Sequence, residues 1–140
     1  MNRILLIAAV ILSALSFASC SEDAPAPMIW KFSNYDKDNI SAVYAPDFNY
    51  QVQIRTRYDY SGSITLECSN YQDVRMLESY FPGDKYGVEV KKIAPNMLNI
   101  IFSPISKPDD NEVDLLISVT GTNKSDSETG SNIYIVRSSK

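Results

Sequence analysis

Residues 50–58 read Tyr50-Gln51-Val52-Gln53-Ile54-Arg55-Thr56-Arg57-Tyr58, and two kinds of side chain alternate along them. Tyrosine, valine, isoleucine and threonine occupy the even positions, whereas glutamine and arginine occupy the odd ones. Successive side chains of a β-strand point to opposite faces of a sheet, so a period of two indicates a strand with one buried face and one face in water. The stretch therefore predicts a half-buried β-strand.

The same alternation recurs along the rest of the chain. The apolar positions are Trp30 and Phe32; Ile64, Leu66 and Cys68; Leu98, Ile100 and Phe102; Val113, Leu115, Ile117 and Val119; and Ile133 and Ile135. Turn-forming residues separate these runs, with hairpin signals at 60–63 and 94–96, a turn at 107–111 and a long polar loop at 121–132. About seven short strands with such turns predict an all-β fold, an antiparallel β-sandwich. Residues 73–81 have mixed periodicity, and for them we expect a short helical turn or an irregular crossover.

The first twenty residues have a different character. Arg3 is followed by an apolar run over 4–15, small residues and then Cys20. This is the layout of a secretory signal peptide, and the apolar run is too short for a membrane-spanning helix. Phe17-Ala18-Ser19-Cys20 resembles the processing site of bacterial lipoproteins, although Phe17 stands where that family has an aliphatic residue. The resemblance implies that Cys20 carries lipid. The alternative is an ordinary signal peptide, cleaved near Ala18 or Ser19, that leaves Cys20 as a free thiol.

The residues after Cys20 extend the resemblance. Ser21-Glu22-Asp23 is similar to the acidic tag of surface-exported lipoproteins in the Bacteroidetes, and 24–27 read as a stiff, proline-containing spacer. The resemblance implies an outer-membrane lipoprotein of the cell envelope that is exposed at the cell surface. We therefore divide the chain into a lipoprotein signal peptide (1–19), a lipidated cysteine with an acidic, proline-containing tether (20–27) and a single β-sandwich domain (28–140).

Leu66-Glu67-Cys68 resembles the second strand of an immunoglobulin domain. That family's second cysteine and its tyrosine corner are missing, so the resemblance implies an immunoglobulin-like sandwich rather than a true immunoglobulin domain. Cys68 has no partner for a disulfide if Cys20 carries lipid. Since Cys68 shares the parity of Ile64 and Leu66, we expect it to behave as a small buried hydrophobic residue.

The amino-acid composition argues against an enzymatic function. The chain has no histidine, which excludes Ser-His-Asp and Cys-His triads and histidine-bearing zinc sites, and it has no glycine-rich phosphate loop. We expect no catalytic residue, no cofactor and no metal site. A calcium site built from the acidic residues at 36–39 or 109–112 is the alternative, but neither stretch continues into a calcium-binding loop, and turn residues are the preferred interpretation. The net charge of −4 and the absence of a Lys/Arg cluster argue against nucleic acid as a partner.

Two groups of residues are candidates for binding. Tyr60, Tyr71, Tyr80 and Tyr86 lie near turns and could bind a glycan, although such rings more often cap a core. Ile101, Leu116, Tyr134 and Val136 have the opposite parity to the core, and the last three are the predicted contact with another protein, unless a loop or the 73–81 segment covers them. The hypothesis is a lipid-anchored, non-enzymatic binding or assembly module whose activity the sequence does not identify. The alternative is a glycan-binding module of a polysaccharide-uptake system.

Overall fold

The computed structural model describes residues 26–46, 51–76, 83–109, 112–123 and 128–140. The nine strands in these residues are β1 (Trp30–Ser33), β2 (Ile40–Ala45), β3 (Gln51–Arg57), β4 (Gly62–Cys68), β5 (Asp73–Met76), β6 (Val88–Ala94), β7 (Met97–Phe102), β8 (Glu112–Thr122) and β9 (Glu128–Ser138). They form a four-stranded sheet in the order β1-β4-β7-β6 and a five-stranded sheet in the order β2-β3-β9-β8-β5. The predicted all-β class is confirmed.

The alternation in the sequence determines which face of each strand is buried. On β3, Val52, Ile54 and Thr56 are buried, whereas Arg55 and Arg57 are exposed. The inner side chains of the two sheets form one hydrophobic core, to which β4, β7, β8 and β9 contribute their predicted apolar positions except Val113, which is only partly buried. Cys68 belongs to that core and is fully buried and unpaired, as predicted.

The predicted hairpin at 60–63 is wrong. The strands on either side of it, β3 and β4, lie in different sheets, and β3 instead pairs in parallel with β9, the last described strand. The turn residues predict correctly that the chain reverses there. They carry no information about which sheet receives the next strand, because that depends on long-range pairing. The hairpin predicted at 94–96 does connect two paired strands, β6 and β7.

Two further local predictions also need correction. Asp73–Met76 is not a helical turn but β5, an edge strand that pairs antiparallel with β8 and buries Val74; residues 77–82 lie outside the described residues. The polar loop predicted over 121–132 is shorter, because β8 extends to Thr122 and β9 begins at Glu128. Backbone pairing between these two long strands continues through polar residues that the period-two pattern does not identify.

One end of the sandwich is organised around Arg137, whose side chain is fully buried. Its guanidinium donates hydrogen bonds of 2.8–3.3 Å to six backbone carbonyls, those of Arg57, Tyr58, Tyr60, Tyr86, Gly87 and Ser103. The group also lies 5.3 Å from the centre of the Phe102 ring. Desolvation lowers the pKa of Arg137, an effect that the charge of Asp59 opposes. We call this the Arg137 end.

The opposite end receives the start of the described chain, and we call it the tether end. Asn70 accepts a hydrogen bond from the amide of Ile29 at 2.9 Å and donates one to the carbonyl of Pro27 at 2.8 Å. The hydroxyl of Tyr44 donates to the carbonyl of Met28 at 2.8 Å, and that of Tyr71 to the carbonyl of Ala26. These bonds fix residues 26–29 against the β4–β5 connection and β2.

Candidate functional site

The candidate site is the solvent-facing side of the five-stranded sheet, which we call the outer face. The strand register places Val43 on β2, Gln53 on β3, Tyr134 on β9 and Leu116 on β8 in one row across four strands. The adjacent row consists of Ser41, Arg55, Val136 and Asp114 on the same four strands. Residues distant in sequence therefore come together on one continuous surface.

The first row carries the apolar side chains of this face. Val43 is 49% exposed and Leu116 is 41% exposed, and both are among the few large hydrophobic side chains that lie open to solvent in the described residues. Tyr134, directly opposite Leu116 in the register, is partly exposed. The exposed apolar side chains thus lie towards the two sides of the row, with the amide of Gln53 and the ring of Tyr134 between them.

An ion pair joins Arg55 of the second row to Glu112, which lies opposite Ser138 in the next row. Nη1 of Arg55, on β3, lies 2.6 Å from Oε1 of Glu112, on β8, although β9 separates the two strands. The pair therefore passes over β9, where Val136 is the direct neighbour of Arg55. This explains why Val136 is only 4% exposed despite its outward position.

Tyr134 also interacts with Asp114, an acidic residue on the neighbouring strand β8. Its hydroxyl donates a hydrogen bond to Oδ2 of Asp114 at 2.7 Å. That bond is the main reason why the pKa of Tyr134 is raised above its usual value, and partial desolvation adds to it. The phenol is thus held in its protonated form, with its hydroxyl oriented towards β8.

Charge on this face is divided between two strands. Arg55 and Arg57 point outward from β3, whereas Glu112 and Asp114 have outward positions on β8. Arg57 also binds Asp59 at 2.9 Å, and this hydrogen-bonded pair raises the pKa of Arg57 and lowers that of Asp59. The arginines of these two strands thus lie on β3 and the carboxylates on β8, while the edge strand β5 carries Arg75, which pairs with Glu128 at 3.5 Å.

The shape of the face suits a flat contact. One concavity is a shallow groove of about 110 Å³, lined by side chains of β2, β3 and β9 that include Val43, Gln53 and Val136. A second, open concavity of about 300 Å³ is lined by polar and charged side chains that include Ser41, Arg55 and Arg57. Pockets for small ligands typically measure about 300–1,000 Å³. The groove is too small to enclose a ligand of that size and the second concavity is only at the lower limit, whereas the exposed row beside them offers an extended surface.

Of the predicted contact residues, Leu116 and Tyr134 are neighbours on the outer face and partly open to solvent. Val136 lies beside them but is buried under the ion pair. Ile101 is on β7, in the other sheet. Val43 could not be identified from the sequence, because β2 (Ile40-Ser41-Ala42-Val43-Tyr44-Ala45) has little contrast between its two faces.

The predicted tyrosine site does not assemble at one place. Tyr71 is 4% exposed at the tether end, whereas Tyr60 and Tyr86 belong to the Arg137 end, where their carbonyls accept hydrogen bonds from Arg137. Both of these side chains pack partly against the core, with the Tyr60 ring 6.5 Å from that of Phe102. Tyr80 lies outside the described residues.

The acidic stretch at 36–39 folds back on itself. The carboxylate of Asp36 accepts hydrogen bonds from the amide of Asp38 at 2.9 Å and the side chain of Asn39 at 2.6 Å. These bonds, that of Asn39 foremost, lower the pKa of Asp36. This is the arrangement of a turn residue bonding its local backbone. Within the described ranges, no three His, Cys, Asp or Glu side chains are grouped to hold a metal ion.

In the part of the chain that the structure describes, no helix has the length and apolar character needed to cross a membrane. Comparison of the chain with protein-family models, curated proteins and solved structures gives no match.

Proposed function

We propose that the protein is a lipid-anchored, non-enzymatic binding module of the cell envelope, and that it contacts a protein partner through the outer face. The observation that carries this proposal is the row formed by Val43, Gln53, Tyr134 and Leu116, in which two exposed aliphatic side chains flank an amide and a tyrosine.

The composition of the face supports a protein as partner. Interfaces between proteins are enriched in tyrosine and arginine. Here Tyr134 and Leu116 provide apolar surface, and the hydrogen-bonded Arg55–Glu112 pair borders it.

The anchor is proposed from residues 17–23, and the tether end gives it a direction. Because Asn70, Tyr71 and Tyr44 fix residues 26–29, a chain anchored at Cys20 has only about six residues between its lipid and the domain, a reach of about 20 Å. The tether end then faces the membrane and the Arg137 end points away from it. The strands then run away from the membrane surface, from the tether end to the Arg137 end. A partner can therefore reach the outer face from beside the molecule.

We further infer an immunoglobulin-like arrangement of the strands. The order β1-β4-β7-β6 is that of the A-B-E-D sheet in such domains, and β9-β8-β5 corresponds to G-F-C. In this assignment β4 corresponds to the second strand of an immunoglobulin domain, and Cys68 occupies the position of that strand's cysteine. The strands β2 and β3, of which β3 pairs in parallel with β9, are additions to the seven-stranded pattern.

A glycan is the second candidate ligand. Tyr60 and Tyr86 are partly exposed at the Arg137 end, which the proposed anchor directs away from the cell. Calorimetric titration with polysaccharides tests this candidate, with Tyr86→Ala as the variant and Tyr58→Ala as its control at the same end. Loss of glycan binding in Tyr86→Ala alone supports it, and no binding by the wild-type chain at millimolar saccharide contradicts it.

The anchor is tested by mass spectrometry of protein extracted from membranes. We expect the chain to begin at Cys20 and to carry acyl chains, and we expect Cys20→Ser to move the protein into the soluble fraction. A single acyl chain binds membranes only reversibly, so stable attachment requires more than one. An unmodified Cys20 in membrane-extracted protein would contradict the anchor.

The contact is tested with a photo-cross-linking amino acid in cells. We expect adducts with a protein partner when it replaces Leu116 and none when it replaces Ile93, which is 53% exposed on β6 of the other sheet. The two positions have similar exposure, so Ile93 is a matched control. Equal adducts at both positions, or none at either, would overturn the proposed contact.

A further inference from the structure

The strands that end the two sheets differ in how their open edges are protected. In the described part of the chain, β1 and β5 are only four residues long, and β5 carries Asp73 and Arg75, both in ion pairs. The longer β6 has three charged residues and a bulge between Lys92 and Ala94. Short length, charge and bulges are the devices that keep a sheet edge from pairing with another strand.

The fourth of these strands, β2, has none of these devices. It is six residues long, contains no charged residue and no proline, and keeps a regular register with β3 throughout. The Ile40 amide donates to the carbonyl of Asp36 rather than to β3. Because donors alternate in direction along an antiparallel strand, the amide and carbonyl of Ala42 then point away from β3. The β2 edge therefore offers backbone hydrogen-bonding groups to a further strand.

The side chains along β2 also suit a neighbouring strand. On the inner side, Ala42 is only partly buried and packs at the margin of the core, as does Phe32 of the contacting edge strand β1. On the outer side, Val43 is 49% exposed and borders, with Ser41, the groove of about 110 Å³. When a strand is added to a sheet, backbone hydrogen bonds give affinity and pockets for alternate side chains give specificity.

We propose that the protein partner inserts an extended segment beside β2, as a further strand of the five-stranded sheet. Apolar side chains of the segment lie inward beside Ala42 and cover the margin of the core, and the side chains between them lie outward beside Ser41 and Val43. The proposal rests on the proposed function and states how the partner is held. The added strand brings the rest of the partner over the row that runs from Val43 to Leu116.

The test places a photo-cross-linking amino acid at Ser41 or at Val43 of the full chain in cells and maps each adduct by mass spectrometry. Both side chains point outward from β2 and are two residues apart. An added strand has the same period of two, so we expect the two positions to label residues about two apart in a single partner segment. Adducts in unrelated segments of a partner, or with this chain itself, would contradict strand addition.

A proline at position 42 tests the backbone hydrogen bonds. Edge strands tolerate proline where the amide faces away from the ladder, so we expect Ala42→Pro to fold and to lose about tenfold in adducts at Val43. Ala42→Ser keeps the amide and should retain them. Cys68 is fully buried, so its resistance to a maleimide reports that each variant is folded. If Ala42→Pro does not fold, Ser41→Lys replaces it, since charge protects an open edge. Undiminished adducts in the folded variant would overturn the proposal.

The cross-linker at position 116 distinguishes this failure from that of the proposed function. Adducts at Leu116 that persist undiminished in Ala42→Pro would mean that the partner covers the outer face without adding a strand, so only the present proposal would be lost. Absence of adducts at both Val43 and Leu116 of the wild-type chain would remove the proposed contact together with it.

Discussion

Arg55 and Glu112 meet at 2.6 Å across an intervening strand. Their ion pair connects β3 to β8 over β9 and covers Val136, which would otherwise be an open apolar position of the outer face. Both side chains remain substantially exposed, at 52% and 39%. The pair therefore shapes the contact surface more than it stabilises the fold.

A double-mutant cycle on Arg55→Ala and Glu112→Ala tests this interpretation. We expect a coupling free energy of about 0.2–1 kcal/mol, because water and salt screen exposed ion pairs. Urea unfolding of the four proteins at low and high salt measures it, and the coupling should decrease as the salt concentration rises. A coupling above about 2 kcal/mol that does not respond to salt would show that the pair is a structural element.

The Arg137 end is expected to be far more sensitive to mutation. Replacement in Arg137→Met removes the hydrogen bonds of the guanidinium to six backbone carbonyls, of which those of Arg57, Tyr58 and Gly87 keep a backbone amide donor. We expect the free energy of unfolding to fall by about 3–5 kcal/mol. Arg57→Met is the control, since its exposed side chain pairs with Asp59 and lies over the Tyr58 ring at the surface, and it should cost less than about 1 kcal/mol. Equal losses measured by urea unfolding would contradict the role assigned to Arg137.

Asn70 is expected to determine how firmly the tether joins the domain. Asn70→Ala removes two hydrogen bonds to the backbone of 27–29, which together stabilise by about 1–3 kcal/mol. The amide of Ile29 should then exchange with deuterium about tenfold faster or more. Gln72→Ala, with an exposed side chain in the same connection, should leave that rate unchanged. Unaltered exchange in Asn70→Ala would show that other contacts hold the segment.

Burial of Cys68 predicts a loss of stability in mildly alkaline solution. Desolvation raises the pKa of its thiol in the folded protein. The unfolded chain therefore releases this proton first as the pH rises above about 8.5, so the free energy of unfolding should decrease from there upward. Below that pH both states hold the proton and the contribution is constant. Cys68→Ala should lack this decrease between about pH 8.5 and 9.5, and an identical pH dependence in both proteins would contradict the assignment.

The alternation in the sequence predicts β1, β3, β4, β7, β8 and β9 but not β2, β5 or β6, and it predicts the arrangement of the strands poorly, for physical reasons. Period-two alternation identifies β3 and β4, because a strand with one buried face has apolar side chains at every second position. The same alternation assigns Leu116 and Tyr134 to the side of the sheet that faces solvent. It does not predict that β3 pairs with β9, because that pairing joins residues about eighty positions apart.

The candidate site depends on this long-range pairing. Only the parallel contact between β3 and β9 brings Gln53 and Arg55 beside Tyr134, so inspection of β3 alone finds a polar face without an aromatic ring. The burial of Arg137, in contrast, could have been predicted from the sequence. Arg137 has the same parity as the inward-facing Ile133 and Ile135, and an arginine at an inward position indicates a buried cation that needs acceptors.

Labelling of surface thiols in intact cells tests the account as a whole most directly. Leu116→Cys and Ile93→Cys are similarly exposed, on the five-stranded and four-stranded sheets respectively. With a membrane-impermeant maleimide, we predict rapid labelling of Ile93→Cys in cells, slow labelling of Leu116→Cys in cells, and equal rates for both in dilute purified protein. Equal, rapid labelling of both variants in cells would show that the outer face is unoccupied and would contradict the central claim.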